Sequence, residues 1–131
     1  MKLQLMTRGR NFSVYAIDLS DDPDVPRCPA MEFFGDLRRS AIDSHKSLTA
    51  VLNMHAENGP IHNIQRSRPL RGSDGIFEFK SRQGDRIAYF FPAGQRNMTI
   101  LTHGFHKGAN VNREIRRAQS IRSMYHDGRR R

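Results

Sequence analysis

"GIFEFKSRQGDRIAYFFPAGQRNMTILTHGF", residues 75–105, alternates apolar and polar side chains in three runs separated by two turn signals. The runs 75–81, 86–91 and 98–105 are rich in Phe, Ile, Tyr and Thr. "RQGD" and "PAGQRN" carry the glycine and proline of tight turns, so three antiparallel strands are predicted. If each hairpin is symmetric about its turn, Lys80 faces Arg86 and Glu78 faces Ala88. In the second hairpin Phe91 then faces Met98, Tyr89 faces Ile100, and Arg86 faces His103. Opposed residues share a sheet face, which puts Lys80, Arg86 and His103 in one row at one end of the sheet. Phe77, Phe79, Ile87, Tyr89, Phe91, Met98 and Ile100 take the other face. A slip of one residue in either hairpin breaks that row.

Upstream, "NFSVYAIDL" (12–19) reads as the first strand and "SDDPDVPRCP" (20–29) as a loop. Residues 30–40 bring Met31, Phe34 and Leu37 to helical spacing. Residues 43–60 form a second helix with Asp43 or Ser44 as N-cap, an apolar face of Leu48, Val51, Leu52 and His55, and a stop at Gly59-Pro60. Downstream, "NREIRRAQSIRSMYH" (112–126) is capped by Asn112 and striped by Ile115, Ala118, Ile121 and Met124 or Tyr125. Asp127-Gly128 ends this helix, and residues 128–131 are a frayed basic tail. The expected layout is β-α-α-β-β-β-α. It is a single α+β domain over 1–131, with a small antiparallel sheet of about four strands, an N-terminal helical hairpin and a C-terminal helix.

A chain of 131 residues is long enough for one core under one sheet. Its net charge of +9 is uneven: residues 1–65 hold 7 Lys/Arg and 8 Asp/Glu, whereas residues 66–131 hold 15 and 5. A solubilising surface mixes both signs, so this imbalance favours a polyanionic partner, nucleic acid first. The single cysteine, Cys28, excludes an internal disulfide and suits a reducing cytoplasm. No 18-residue apolar run and no signal-peptide core are present, so a cytoplasmic protein without a membrane partner is expected. His45, His55, His62 and His126 lack ligand spacing, and no metal or cofactor is expected.

Two cations beside imidazoles suit phosphodiester cleavage. RNA carries its own nucleophile, the 2′-OH. A ribonuclease therefore needs a base, an acid for the leaving 5′-oxygen, and positive charge for the transition state. The candidate catalytic residues are Lys80, Arg86, His103, and the His106 and Lys107 that follow at the same end. Arg71, Arg82, Arg113, Arg116 and Arg117 together make a surface able to track a phosphate backbone.

"RPLRGSDGIFEFKSRQGDRIAYFF…MTILTHGFHKGANVNREIRRAQSIRSMY" resembles the HigB-type, phage-related branch of the RelE/ParE toxin superfamily. The likeness lies in the order of a basic-leucine-glycine start (Leu70 to Gly72), a strand ending in a basic residue (Phe77 to Lys80), and an arginine opening an apolar strand (Arg86 to Phe91). A "GF-basic-K" segment (Gly104 to Lys107) and an E-x-x-x-A helix (Glu114 to Ala118) follow. It spans roughly residues 66–125. Glu78 stands where ribosome-dependent members carry lysine, and Gly108 replaces the second lysine of a common "KK". The resemblance implies the toxin of a type II toxin–antitoxin pair, an endoribonuclease that cleaves messenger RNA on the ribosome. A small helix-turn-helix antitoxin of the HigA type would neutralise it. It further implies site roles for Lys80, Arg86, His106 and Lys107, and makes Tyr125 a candidate near-terminal tyrosine. The competing readings are a toxin-like module without catalysis, such as a topoisomerase inhibitor, and a small nucleic-acid-binding regulator.

Overall fold

The computed structural model describes residues 1–129, the side chain of Arg129 excepted. The order is β1 (Lys2–Arg8), β2 (Ser13–Asp18), α1 (Pro29–Ser40), α2 (Ile42–Asn58), β3 (Ser67–Pro69), β4 (Phe77–Lys80), β5 (Arg86–Phe90), β6 (Met98–Phe105) and α3 (Val111–Arg129). The class is α+β, but the expected four-stranded antiparallel sheet is corrected to a six-stranded mixed one in the order β1-β2-β6-β5-β4-β3. β2 runs parallel to β6, with Ser13 beside Met98 and Ala16 beside Leu101, because the α1–α2 hairpin carries the chain across the sheet. The two unforeseen strands are the edges. β1 pairs with β2 through a bulge between Leu5 and Thr7, which breaks its apolar alternation. β3 has three residues and contains Pro69, tolerable only where no ladder N–H is needed.

Each face of the sheet buries a core. Val14, Ala16, Phe79, Ile87, Tyr89 and Leu101 pack on Phe34, Leu37, Leu48 and Leu52 of α1 and α2. Ile17, Ala88, Phe90, Ile100 and Phe105 pack on Ile115, Ala118, Ile121 and Tyr125 of α3. Met98 and Ile100, expected on the hairpin side, thus lie on the α3 side. The cause is the β5–β6 register. Arg86 pairs with Phe105, Ile87 with Gly104, Tyr89 with Leu101 and Phe90 with Ile100. Between the second and third of these pairs β6 spends one more residue than β5. Tyr89 and Phe90 already pair one residue later on β6 than a symmetric hairpin gives, which turns Met98 and Ile100 to the α3 side; the bulge adds a second residue, so His103 keeps the face of Arg86 but lies two residues short of it, under α3.

The helix ends also differ from expectation. Neither Asp43 nor Ser44 caps α2, which starts behind Ala41 without a side-chain cap. Asn110 rather than Asn112 takes the first-turn role at α3, accepting from the Arg113 N–H at 3.2 Å. α3 runs through Asp127-Gly128 to Arg129; of the tail expected over 128–131, residues 130 and 131 lie outside the described residues. No helix among the described residues is long and apolar enough to cross a membrane.

His55 stitches α2 to the sheet. It is fully buried, its Nε2 lies 2.8 Å from Thr99 Oγ1, and it stacks on Phe12 at 4.5 Å. Burial lowers its pKa from 6.5 to about 4. Below pH 6.5 the unfolded chain therefore takes up a proton that the folded chain refuses until about pH 4. Stability is complete above pH 6.5, falls as pH drops through this window by an amount on the order of 2–3 kcal/mol, and levels off near pH 4. Urea unfolding of the wild type and His55→Gln at pH 7.5 and pH 4.5 should show a clearly smaller pH loss in the variant. Equal losses would assign the effect elsewhere.

Candidate active site: a cation cleft beside an oriented histidine

The β4–β5 turn and the β6–α3 turn meet at one end of the sheet and enclose a cleft of about 310 Å³. Arg66, Lys80, Arg82, Arg86 and Lys107 line it, with Gln65 and Gln83, and no carboxylate lies on its wall. Lys80 pairs directly with Arg86, as the first hairpin predicts. Gly84 holds the turn at φ +97°, and a Cβ there would meet the Lys107 stem at about 3.1 Å. The lysine thus folds over the turn, and its ammonium joins the cleft.

One of these cations, Arg86, shares a buried anion with Arg68 of β3. Glu78 is 1 % exposed and lies opposite Arg68 of β3. Its Oε1 accepts from Arg68 Nε at 2.7 Å, and its Oε2 sits 3.3 Å from Arg86 Nε. The second contact is an ion pair without hydrogen-bond alignment, so Arg86 Nε is buried with its hydrogen unused. Desolvation, then the charges of Arg68 and Arg86, lower the Lys80 pKa below its ordinary value, and Glu78 only partly offsets them. An anion entering the cleft relieves this repulsion, and an ammonium so placed gives up its proton more readily.

His106 precedes the wall residue Lys107 and is itself outside the cleft's lining. Its Nδ1 lies 2.6 Å from Asp85 Oδ1, between the wall residues Gly84 and Arg86. A carboxylate only accepts, so Nδ1 carries the hydrogen and Nε2 of the neutral ring keeps its lone pair. Asp85 is itself anchored: Oδ2 accepts from Ser44 Oγ, Ser44 Oγ lies 2.7 Å from Ser81 Oγ, and that oxygen accepts the Asp85 N–H at 3.0 Å. Ser44, expected as a helix cap, thus serves this network. Phe33 backs the imidazole at 5.0 Å and can do so because Gly104 beneath it has no side chain; a Cβ there would sit 2.1 Å from the ring.

Of the expected catalytic residues, Lys80, Arg86 and Lys107 line the cleft; His106, held by Asp85 against Phe33 of α1, lies outside its lining, and His103 is not there. His103 is fully buried between β6 and α3, its Nε2 2.7 Å from Glu114 Oε2 and its Nδ1 3.1 Å from Thr102 Oγ1. Desolvation lowers its pKa, partly offset by Glu114. It therefore cannot meet a substrate and instead pins α3 to the sheet. Tyr125 is likewise core, 3 % exposed and edge-on to Phe90 at 5.8 Å. Arg82 lines the cleft; Arg71 lies by the start of α3, and Arg113, Arg116 and Arg117 are exposed along that helix. The sequence reading missed Asp85, Arg66 and Arg68. Asp85 was signalled only by its place between the turn glycine and Arg86. Among the described residues no group of three or more His, Cys, Asp or Glu is placed to hold a metal ion.

Removing the buried anion should be costly. Glu78→Ala leaves the mostly buried Arg86 unpaired beside Lys80, and stability should fall by roughly 3 kcal/mol. Arg68→Ala, at a half-exposed partner, should cost about 1 kcal/mol or less. Denaturant midpoints of the two variants decide this, and equal small losses would remove Glu78 from its organising role.

No protein-family model matches the chain, and no curated protein matches it in sequence.

Proposed function

We propose that the protein is a metal-independent endoribonuclease, the messenger-RNA-cleaving toxin of a type II toxin–antitoxin pair, as its resemblance to the HigB-type branch implies. The observation that carries the reading is a cleft walled by five cations, with His106 held beside it on Asp85, which fixes its tautomer and leaves Nε2 its lone pair. Nε2 takes the 2′-OH proton, the 2′-oxygen attacks the adjacent phosphorus, and the P–O5′ bond breaks. Lys80, on the cleft wall, protonates the departing 5′-oxygen. Arg86, on the cleft wall, presents its guanidinium to the equatorial oxygens, where charge grows in the transition state. Arg66, Arg82 and Lys107 hold flanking phosphates, and the exposed arginines of α3 supply further sequence-independent contacts. The proposed neutralising partner is a small helix-turn-helix antitoxin.

Induction of the wild type in a bacterium should arrest translation, measured by incorporation of labelled amino acid, and a co-expressed antitoxin from a neighbouring reading frame should restore it. His106→Ala should reduce RNA cleavage about 10²–10⁴-fold and Arg86→Ala about 10²–10³-fold. Asp85→Asn, which loses the fixed tautomer, should lower kcat more than it raises KM. Full activity of both alanine variants, in chains that remain folded, would refute the site.

A further inference from the structure

We infer that a second cavity, between β3 and the start of α3, is a nucleoside subsite that holds the base next to the phosphate seated in the cation cleft. The inference rests on the RNA reading of that cleft and names where the neighbouring nucleotide goes. The cavity measures about 490 Å³, within the range of small-ligand sites. Leu70 and Ile115 are buried at its base and Val111 is 44 % exposed beside them. Arg68, Arg71 and Asn112 supply its polar groups, and no carboxylate is on its wall.

This mixture matches a nucleoside better than an isolated anion or an apolar ligand. A base presents two apolar faces, which aliphatic side chains can cover, and a polar edge. The Asn112 amide both donates and accepts, as a base edge requires. Arg71 and Arg68 meet the flanking phosphates.

The two cavities are mechanically joined. Arg68, on the wall of the second, shares the buried Glu78 with Arg86, on the wall of the first. Arg66 of the cleft, in the turn that leads into β3, and Arg68 of the cavity, in β3, are two residues apart; the backbone bonds to Lys80 at Arg66 and pairs with Glu78 at Arg68. Their separation along the chain is about 7 Å, of the order of one nucleotide step. A strand leaving the cleft past Arg66 therefore meets the cavity at its next residue. Val111, Asn112 and Ile115 are on α3, which His103 and Glu114 lock to β6. The buried imidazole thereby fixes the far wall of the subsite.

The test titrates the full chain with a non-cleavable 2′-O-methyl trinucleotide and, separately, with inorganic phosphate. The trinucleotide should bind at least about ten-fold more tightly than phosphate. Arg71→Ala, and Val111→Asp, which puts a carboxylate into the cavity, should each weaken the trinucleotide about ten-fold and leave phosphate unchanged. Lys80→Ala should weaken both probes. Trinucleotide binding unaltered in Arg71→Ala and Val111→Asp overturns the subsite. RNA cleavage measured alongside separates the two claims. Cleavage with an unchanged KM in Arg71→Ala rejects the subsite and keeps the nuclease; no cleavage with discrimination intact rejects the nuclease and keeps the subsite.

Discussion

A glutamate with 1 % of its surface exposed sits among arginines of two neighbouring strands, and the arrangement of this end of the sheet follows from it. Ion pairs of this kind contribute little net stability, because desolvation offsets attraction, but loss of one partner leaves a buried charge exposed to its own kind. Glu78 thus acts as a counter-ion that lets Arg68, Arg86 and Lys80 crowd together without closing the cleft. Its two oxygens are directed at Arg68 and Arg86, and desolvation, then the charges of those arginines, depress the Lys80 pKa. The cleft is poised for an external anion because its internal one is fully used.

The end of β6 performs the second sorting. Two histidines three residues apart point away from each other by plain alternation, and each finds a carboxylate in a different setting. His103 turns inward to Glu114 and fastens α3; His106 stays exposed on Asp85 beside the cleft. The same imidazole–carboxylate pair is structural where water is excluded and suited to proton transfer where water and substrate can reach it. Gly104 between them serves the second pair, because only a residue without a side chain lets Phe33 lie against β6 and back His106.

The β4–β5 hairpin was legible from the sequence because its connection, residues 81–85, is symmetric, and Lys80 opposite Arg86 followed directly. The next hairpin was not, since neither a one-residue slip at its turn nor the bulge leaves a mark in the alternation of "MTILTHGF", and together they set Phe105 in place of His103 opposite Arg86. The edge strands escaped for related reasons: β1 alternates poorly around its own bulge, and β3 is too short for any period to show. Without β1 the parallel β2–β6 pairing had no context, hence the underestimated sheet. His106 and Lys107 were found by adjacency to a glycine-flanked strand end. Asp85 and Glu78 were passed over because a carboxylate in a basic segment looks like a turn residue or a departure; its meaning depends on which oxygen meets which cation. Tyr125 could serve either role on a helical stripe, and packing on Phe90 decided for the core.

The most direct measurement of the central claim, that this cleft and His106 direct 2′-OH attack on a phosphodiester, is the chemistry of the cut ends. RNA exposed to the protein, free or engaged by translating ribosomes, should yield upstream fragments ending in 2′,3′-cyclic phosphate or its 3′-phosphate hydrolysis product, and downstream fragments beginning with 5′-hydroxyl. Fragments with 5′-phosphate and 3′-hydroxyl ends, or RNA left intact in both settings, would contradict the account.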